Sequence, residues 1–190
     1  MRWNSWTAII SSTLALAAAV PLIAAAPATS KDAQAKRVAR GQYLVMVGGC
    51  GDCHTPGTLF GSPDFSRRLG GSELGWRGPW GVSYARNLTP DTETGIGSWT
   101  EKQIVDAIRT GMRPDGRALL PPMPWPNMAQ MTDEDAYAIA AYLKSLAPVK
   151  HAVPGPVGPD KAKDASGSIS DFPPPSAWDA PRTPPPGMGK

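Results

Sequence analysis

Both cysteines of the 190-residue chain, and one of its two histidines, fall within the five residues Cys50-Gly51-Asp52-Cys53-His54. This C-x-x-C-H spacing is typical of covalent haem c attachment. Two thiols at this spacing can add to the two vinyl groups of a porphyrin, while the adjacent imidazole reaches the iron from one face. The single copy of the motif therefore predicts one covalently bound haem c, attached through Cys50 and Cys53, with His54 as the proximal iron ligand.

Three other interpretations of the motif explain less of it. A thioredoxin-like C-x-x-C is expected in a strand–helix–strand setting, and no such alternation surrounds Cys50. A zinc site needs four ligands, whereas outside the motif the chain has no cysteine and one further histidine, His151. A structural disulfide between Cys50 and Cys53 would leave His54 without a role. The motif favours haem over all three.

The other face of the iron needs a second ligand, and His/Met ligation is the usual arrangement for a haem of this kind. His151 would have to fold back from a proline-rich segment. Met123 lies in the sequence PPMPWP, where fixed proline backbones hold a thioether at low entropic cost, so it is the candidate distal ligand. Filling a gap in a core is the commoner role of any methionine. That role is the one we favour for Met128 and Met131; the chain also has Met112 and Met188 downstream.

Helices are predicted on both sides of a loop-rich middle. Residues 31–47 have a helix-forming composition, and Gly41 within them hints at close packing against another element. From residue 48 to residue 98, glycine, proline and other turn-forming residues recur every few positions. A long loop region inside a compact domain needs an internal organiser, and a haem would supply one.

Two further helices are indicated by their end signals. Thr100 and Gln103 form a capping box at the start of one, and Gly111 ends it. Thr132 begins the other, whose apolar stripe continues until Pro148. The intervening residues 113–128 are too rich in proline for regular structure.

The two ends of the chain differ in composition from the domain between them. Residues 1–28 read as a signal peptide, with a basic start, an apolar run and a small-x-small cleavage site, which predicts export to the periplasm. An uncleaved membrane anchor is the alternative. Eleven of the 22 prolines fall in residues 148–190, which predicts an extended or disordered tail. The folded domain is therefore expected to comprise residues 31–147.

Three segments together resemble the class I cytochromes c, and in particular the haem domains of the cytochrome subunits of periplasmic alcohol, gluconate and aldehyde dehydrogenases. The segments are RGQYLVMVGGCGDCHTP, ARNLTPDTETGIGSWTEKQIVDAIRTGMRPDGRAL and PPMPWPNMAQMTDEDAYAIAAYLKSL, which begin at residues 40, 85 and 121. The resemblance covers residues 38–147.

The resemblance implies an all-α fold wrapped around the haem. The N-terminal helix, with Gly41 and Tyr43, would cross the C-terminal helix near Tyr142 and Leu143. In such cytochromes the methionine of the MPW element binds iron, which carries over to Met123.

A haem with both axial positions filled implies a one-electron carrier that is not itself an enzyme. Its expected partners are a dehydrogenase donor and an oxidase or another cytochrome as acceptor. A haem enzyme or gas sensor with an open sixth position is the alternative. Residues 29–147 contain 13 Lys and Arg against 12 Asp and Glu, and the whole chain has a net charge of +3. This balance argues against a nucleic-acid partner and does not select an acidic or a basic one.

Overall fold

The computed structural model describes residues 29–167 and 169–171. The predicted signal peptide, Met188 and the final part of the predicted tail lie outside the described residues. Within them, no helix combines the length and apolar character needed to cross a membrane.

The described residues form five α-helices, three short 3-10 turns and three short strands. The helices are α1 (Ser30–Val47), α2 (Cys50–His54), α3 (Glu101–Thr110), α4 (Trp125–Met128) and α5 (Asp133–Ser145). The 3-10 turns are Thr58–Phe60, Phe65–Arg67 and Pro159–Asp164, and the strands are β1 (Gly75–Gly78), β2 (Gly81–Tyr84) and β3 (Ile169–Asp171).

The helix ends follow the chemistry of their capping residues. The predicted capping box of Thr100 and Gln103 begins α3, and Gly111, with φ of 70°, ends it in the left-handed conformation that glycine adopts without strain. Thr132 caps α5 as predicted. That helix ends at Ser145, before Pro148, because Leu146 already has extended backbone angles.

Helices α1 and α5 cross in close contact at Gly41. A Cβ atom at this position would lie 1.9 Å from the carbonyl oxygen of Ala138 and 2.8 Å from the Cβ of Tyr142. The crossing implied by the family resemblance is therefore present at Gly41 and Tyr142. Tyr43 is 56% exposed.

Replacing Gly41 with alanine is expected to lower the free energy of unfolding by about 3 kcal/mol, because the added methyl group overpacks the crossing. Urea unfolding followed by circular dichroism measures the change. Gly155→Ala is the matched control, since a Cβ atom there has nothing within 4 Å. Equal unfolding free energies for the two variants would contradict the close crossing.

The main hydrophobic core lies between α1, α3 and α5. Cys50 packs against this core, so the haem motif is attached directly to the rigid part of the fold. The buried residues of the core are Val45, Leu69, Ile96, Ile104, Val105, Ala136, Ile139, Ala140, Tyr142 and Leu143.

A small sheet, which the sequence did not predict, stands beside the helices. Its strand order is β2-β1-β3, with β1 antiparallel to β2 and parallel to β3. The all-α prediction holds for the framework of helices. Strands β1 and β2 lie in the loop-rich middle, and β3 lies in the predicted tail. Val82 and Tyr84 of β2 form a second, smaller buried cluster with Val153.

The sequence predicts an extended or disordered tail over residues 148–190. The structure describes residues 148–167 and 169–171 of it, and part of this segment packs against the domain. Residues 149–157, here named the strap, run in extended form across the domain, and Val153 within them is 6% exposed. Backbone hydrogen bonds of 2.8 and 2.9 Å join Val82 and Val157 in both directions. A segment so rich in proline cannot form a hydrophobic core of its own. The strap is instead held by packing into the second cluster, where Val153 is buried with Val82 and Tyr84.

Candidate haem site

The haem motif occupies α2, a single helical segment that follows α1 almost without interruption. Gly49, with φ of 65°, makes the turn between the two helices. Cys50 and Cys53 are free thiols in the structure, each partly buried. Burial raises the pKa of both thiols, and the negative charge of Asp52 adds to the effect.

A cavity of about 500 Å³ opens beside α2. Cys50, Cys53, His54 and Met123 all line it, so the structure brings together the four residues that the sequence singled out. Most of the wall is apolar, including Leu44, Trp76, Leu88, Trp99, Ile104 and Leu119. An apolar wall with a few polar groups, at this volume, is the usual form of a cofactor site.

The imidazole of His54 is oriented by the backbone of the loop opposite. Its Nδ1 lies 2.7 Å from the carbonyl oxygen of Arg86. A carbonyl oxygen only accepts hydrogen bonds, so Nδ1 carries a proton, and in the neutral ring Nε2 keeps its lone pair. Burial lowers the pKa of His54, and the hydrogen bond to Arg86 acts in the opposite direction. Burial therefore favours the neutral ring, in which Nε2 is available as a metal ligand.

Three methionines, rather than one, line the cavity. Met123 follows the turn at Leu120, whose carbonyl oxygen accepts a 3.2 Å hydrogen bond from the Met123 amide, and α4 begins two residues later. Met128 and Met131 lie in the same wall. Met131 also packs against the main core, as expected of a gap-filling residue. Met123 remains the predicted ligand, and the other two are natural comparisons for testing it.

The two remaining described candidates for the second ligand lie elsewhere. Met112 is 44% exposed and lies outside the cavity wall. His151 does fold back onto the domain, but its ring faces the carbonyl oxygen of Gly70 and the carboxylate of Glu73, at 2.8 Å each.

The cavity wall also contains three arginines that the sequence did not predict to be there: Arg86, Arg113 and Arg117. Burial lowers the pKa of Arg86, and the charges of the other two add to the shift. The sequence RPDGR contained a signal for the pair, because a turn through Gly116 brings its two ends together. The Arg113 amide donates a 3.0 Å hydrogen bond to the Arg117 carbonyl oxygen.

These features fit a haem c. Two thiols, an imidazole and a thioether line one apolar cavity, and the arginines in its wall would supply positive charge for the two propionate carboxylates of a haem. Arg113 also lies over the ring of Trp99, at 5.0 Å from its centroid. A helix-rich domain with a site of this kind is typical of the c-type haem proteins.

Comparison with known proteins identifies the family. The model of the cytochrome c family matches residues 38–147, and the chain belongs to that family.

Several curated relatives are cytochrome subunits of dehydrogenases. The chain is 38% identical, over 155 residues, to the cytochrome c subunit of a quinone alcohol dehydrogenase from Gluconacetobacter polyoxogenes, covering 81% of this chain and 30% of the relative. It is 35% identical over 167 residues to the corresponding subunit of Gluconobacter oxydans (strain 621H), covering 87% of this chain and 32% of the relative. It is 38% identical over 116 residues to the gluconate 2-dehydrogenase cytochrome c subunit of Pantoea cypripedii, covering 60% of this chain and 24% of the relative. The chain thus spans about a third, or less, of the length of these relatives.

Proposed function

We propose that this cytochrome c family protein is a periplasmic one-electron carrier with a single haem c. In this proposal Cys50 and Cys53 bind the haem covalently, and His54 and Met123 are the axial ligands. The observation that carries the proposal is the shared cavity, which places a neutral imidazole with a free Nε2 and the thioether of Met123 in one apolar wall. A haem bound there would supply a one-electron Fe(III)/Fe(II) couple.

The protein's own residues give this site three properties. The two thiols would hold the haem in both oxidation states of its iron, because thioether bonds do not depend on the charge of the iron. The Arg86 carbonyl oxygen fixes the imidazole plane and makes His54 a stronger electron donor. The apolar wall excludes water, so little solvent has to rearrange when an electron arrives.

The proposed partners are redox proteins. The names of the relatives support a dehydrogenase as the electron donor, and an oxidase or another cytochrome would be the acceptor. Exposed apolar side chains precede and follow the haem motif in the chain: Met46 and Val47 before it, and Leu59 and Phe60 after it. Leu59 also lines the cavity, so this apolar surface reaches the haem site. Small apolar patches suit the short-lived contacts of electron-transfer proteins.

Export is the part of the proposal that rests on residues 1–28 alone. Fractionation of cells that express the full chain, with N-terminal sequencing of the product, tests it. A periplasmic protein that begins near Thr29 is the expected result. Recovery of an unprocessed chain in the membrane fraction would instead support the anchor.

The experiment that tests the function is spectroscopy of the full chain, produced in a host that matures cytochromes c. Haem that resists acid extraction is expected at one per chain, together with a weak sulfur-to-iron band in the far red when oxidised. The reduced protein should not bind carbon monoxide readily. A high-spin iron that takes up carbon monoxide would favour the haem enzyme or gas sensor with an open sixth position.

Replacing Arg113 with glutamine is expected to lower the midpoint potential by tens of millivolts. Removing a positive charge from the cavity wall favours the more positive ferric state, and one charge in a partly buried site is worth on the order of 1 kcal/mol. Spectroelectrochemical titration measures the change. Lys102→Gln is the matched control, because Lys102 is 72% exposed on the surface of α3 and outside the wall. An equal shift in both variants would show that Arg113 has no special role.

A further inference from the structure

The strap makes hydrogen bonds to the loop that orients His54. Arg86 connects the two, because its backbone contacts His54 and its side chain contacts the strap. Its carbonyl oxygen accepts the hydrogen bond from His54 Nδ1 at 2.7 Å. Its guanidinium Nη1 donates to the carbonyl oxygens of Val153 and Pro154, at 2.7 Å each. The residue that aims the imidazole is therefore itself tied to the strap.

A second connection reaches His54 from the other side. The amide of Gly71 donates a 2.8 Å hydrogen bond to the carbonyl oxygen of His54. The neighbouring Gly70 carbonyl oxygen accepts from Nδ1 of His151, in the strap, at 2.8 Å. Val153 presses on the same turn, since a Cβ atom on Gly71 would lie 2.4 Å from its Cγ2. The strap therefore contacts this turn through both a hydrogen bond and a close packing contact.

Polar side chains of the 87–94 loop fix the position of the strap along the domain. Asn87 donates through Nδ2 to the carbonyl oxygen of Val149 at 2.7 Å. The amide of Val149 donates to Thr89 Oγ1 at 3.0 Å, and the amide of His151 donates to Thr94 Oγ1 at 3.0 Å. Asn87 and Thr89 are almost fully buried, so these bonds are shielded from competing water.

We propose that the strap belongs functionally to the haem site, because it holds the imidazole of His54 in one orientation. His151 and Val153 are positioning residues: neither lines the cavity, and each acts through the Gly70–Gly71 turn or through Arg86. This inference rests on the proposed function, in which His54 is an iron ligand. Loosening the strap would weaken the Nδ1 hydrogen bond of His54. A histidine ligand with a weaker Nδ1 hydrogen bond is less basic and a poorer donor to ferric iron, so the midpoint potential would rise.

The test compares two amide variants of His151 in the full-length holoprotein. In His151→Asn the amide nitrogen replaces Nδ1 and can still donate to the Gly70 carbonyl oxygen. In His151→Gln the amide nitrogen replaces Nε2 and cannot reach it in the same geometry. Exchange of the His54 Nδ1 proton with deuterium, followed by NMR in the reduced protein, should be at least tenfold faster in His151→Gln. His151→Asn should match the wild type, and the potential should rise in the glutamine variant alone.

Two further variants keep the result interpretable. Val153→Ala removes the contact with Gly71 without changing charge, and it should also speed exchange and raise the potential. Lys150→Gln is the matched control, because Lys150 lies in the strap and its ion pair with Glu93 is exposed. This control should leave proton exchange unchanged.

The outcomes separate the inference from the function on which it depends. Wild-type protein without covalent haem, or without a ligated His54, would refute the proposed function. Covalent haem in the wild type, with His151→Gln, Val153→Ala and Lys150→Gln all exchanging at the wild-type rate, would overturn the role of the strap and leave the proposed function standing. If exchange were also faster in His151→Asn, the hydrogen bond to Gly70 would not be what links the strap to His54. That result would also overturn the proposed role of the strap.

Discussion

Met123→Ala is expected to abolish the sulfur-to-iron band in the far red and to lower the midpoint potential by about 0.2 V. The expected size is a fraction of the range of about 0.8 V over which axial ligands set haem potentials. Thioether ligation favours the ferrous state, and its loss leaves water or a weaker side chain in the sixth position. The oxidised absorption spectrum and a spectroelectrochemical titration measure the two effects.

Met128→Ala is the matched control for this variant, since Met128 lines the same cavity. Removing it should cost stability through lost packing but leave the far-red band in place. If the band persisted in Met123→Ala and vanished in Met128→Ala, the ligand would be Met128. Carbon monoxide binding should follow the loss of the band, because both report the opening of the sixth position.

The double substitution Cys50→Ser with Cys53→Ser is expected to remove all covalently attached haem and to prevent stable folding. Without haem, the apolar wall of the cavity would be exposed to water, at a cost of about 25 cal/mol for each Å² of apolar surface. Ordinary domains are stable by only about 5–15 kcal/mol in total, so losing the packing of this wall can prevent stable folding. Haem content after acid extraction, and the yield of soluble protein, measure the result.

Each single cysteine variant is the control for the double one. Cys50→Ser and Cys53→Ser should each retain one thioether bond and therefore some acid-resistant haem. Acid-resistant haem in the double variant would mean that the attachment lies outside the C-x-x-C-H motif.

The helical framework was predictable because its signals are local. The capping box of Thr100 and Gln103 and the cap at Thr132 each depend on side chains that meet their backbone partners within one turn. Gly41 was informative for a related reason: an unfavourable residue inside a helix indicates a contact that needs it. The family resemblance then supplied the partner helix, which local signals could not.

The sheet and the strap were missed because their stability comes from distant partners. β1 has four residues, and its parallel partner β3 begins 94 positions further along, at Ile169. Nothing in the four residues GWRG requires that pairing. The proline count of residues 148–190 correctly ruled out a separate core, but composition does not reveal that Val153 fits a cluster built elsewhere.

The sequence predicted which four residues would line the candidate site, but not most of the residues that surround them. The spacing of Cys50, Cys53 and His54 predicts a haem c, and the structure places these three residues and Met123 in one cavity. The choice of Met123 over its two neighbours in the wall stays a prediction. Arg86 could not be recognised from sequence, since its importance lies in a carbonyl oxygen and a guanidinium that reach two different segments.

The strap also bears on how such a haem module can be moved between proteins. The family match ends at residue 147, yet Val82 and Tyr84 are covered by residues that follow it. A graft that ends at residue 147 would carry the helices and the haem motif into a new host protein, but it would leave Val82 and Tyr84 exposed to solvent. The connecting peptide that follows the last helix would then have to supply the missing cover. Grafts that keep residues 149–171 should tolerate a wider choice of neighbours than grafts that end with α5.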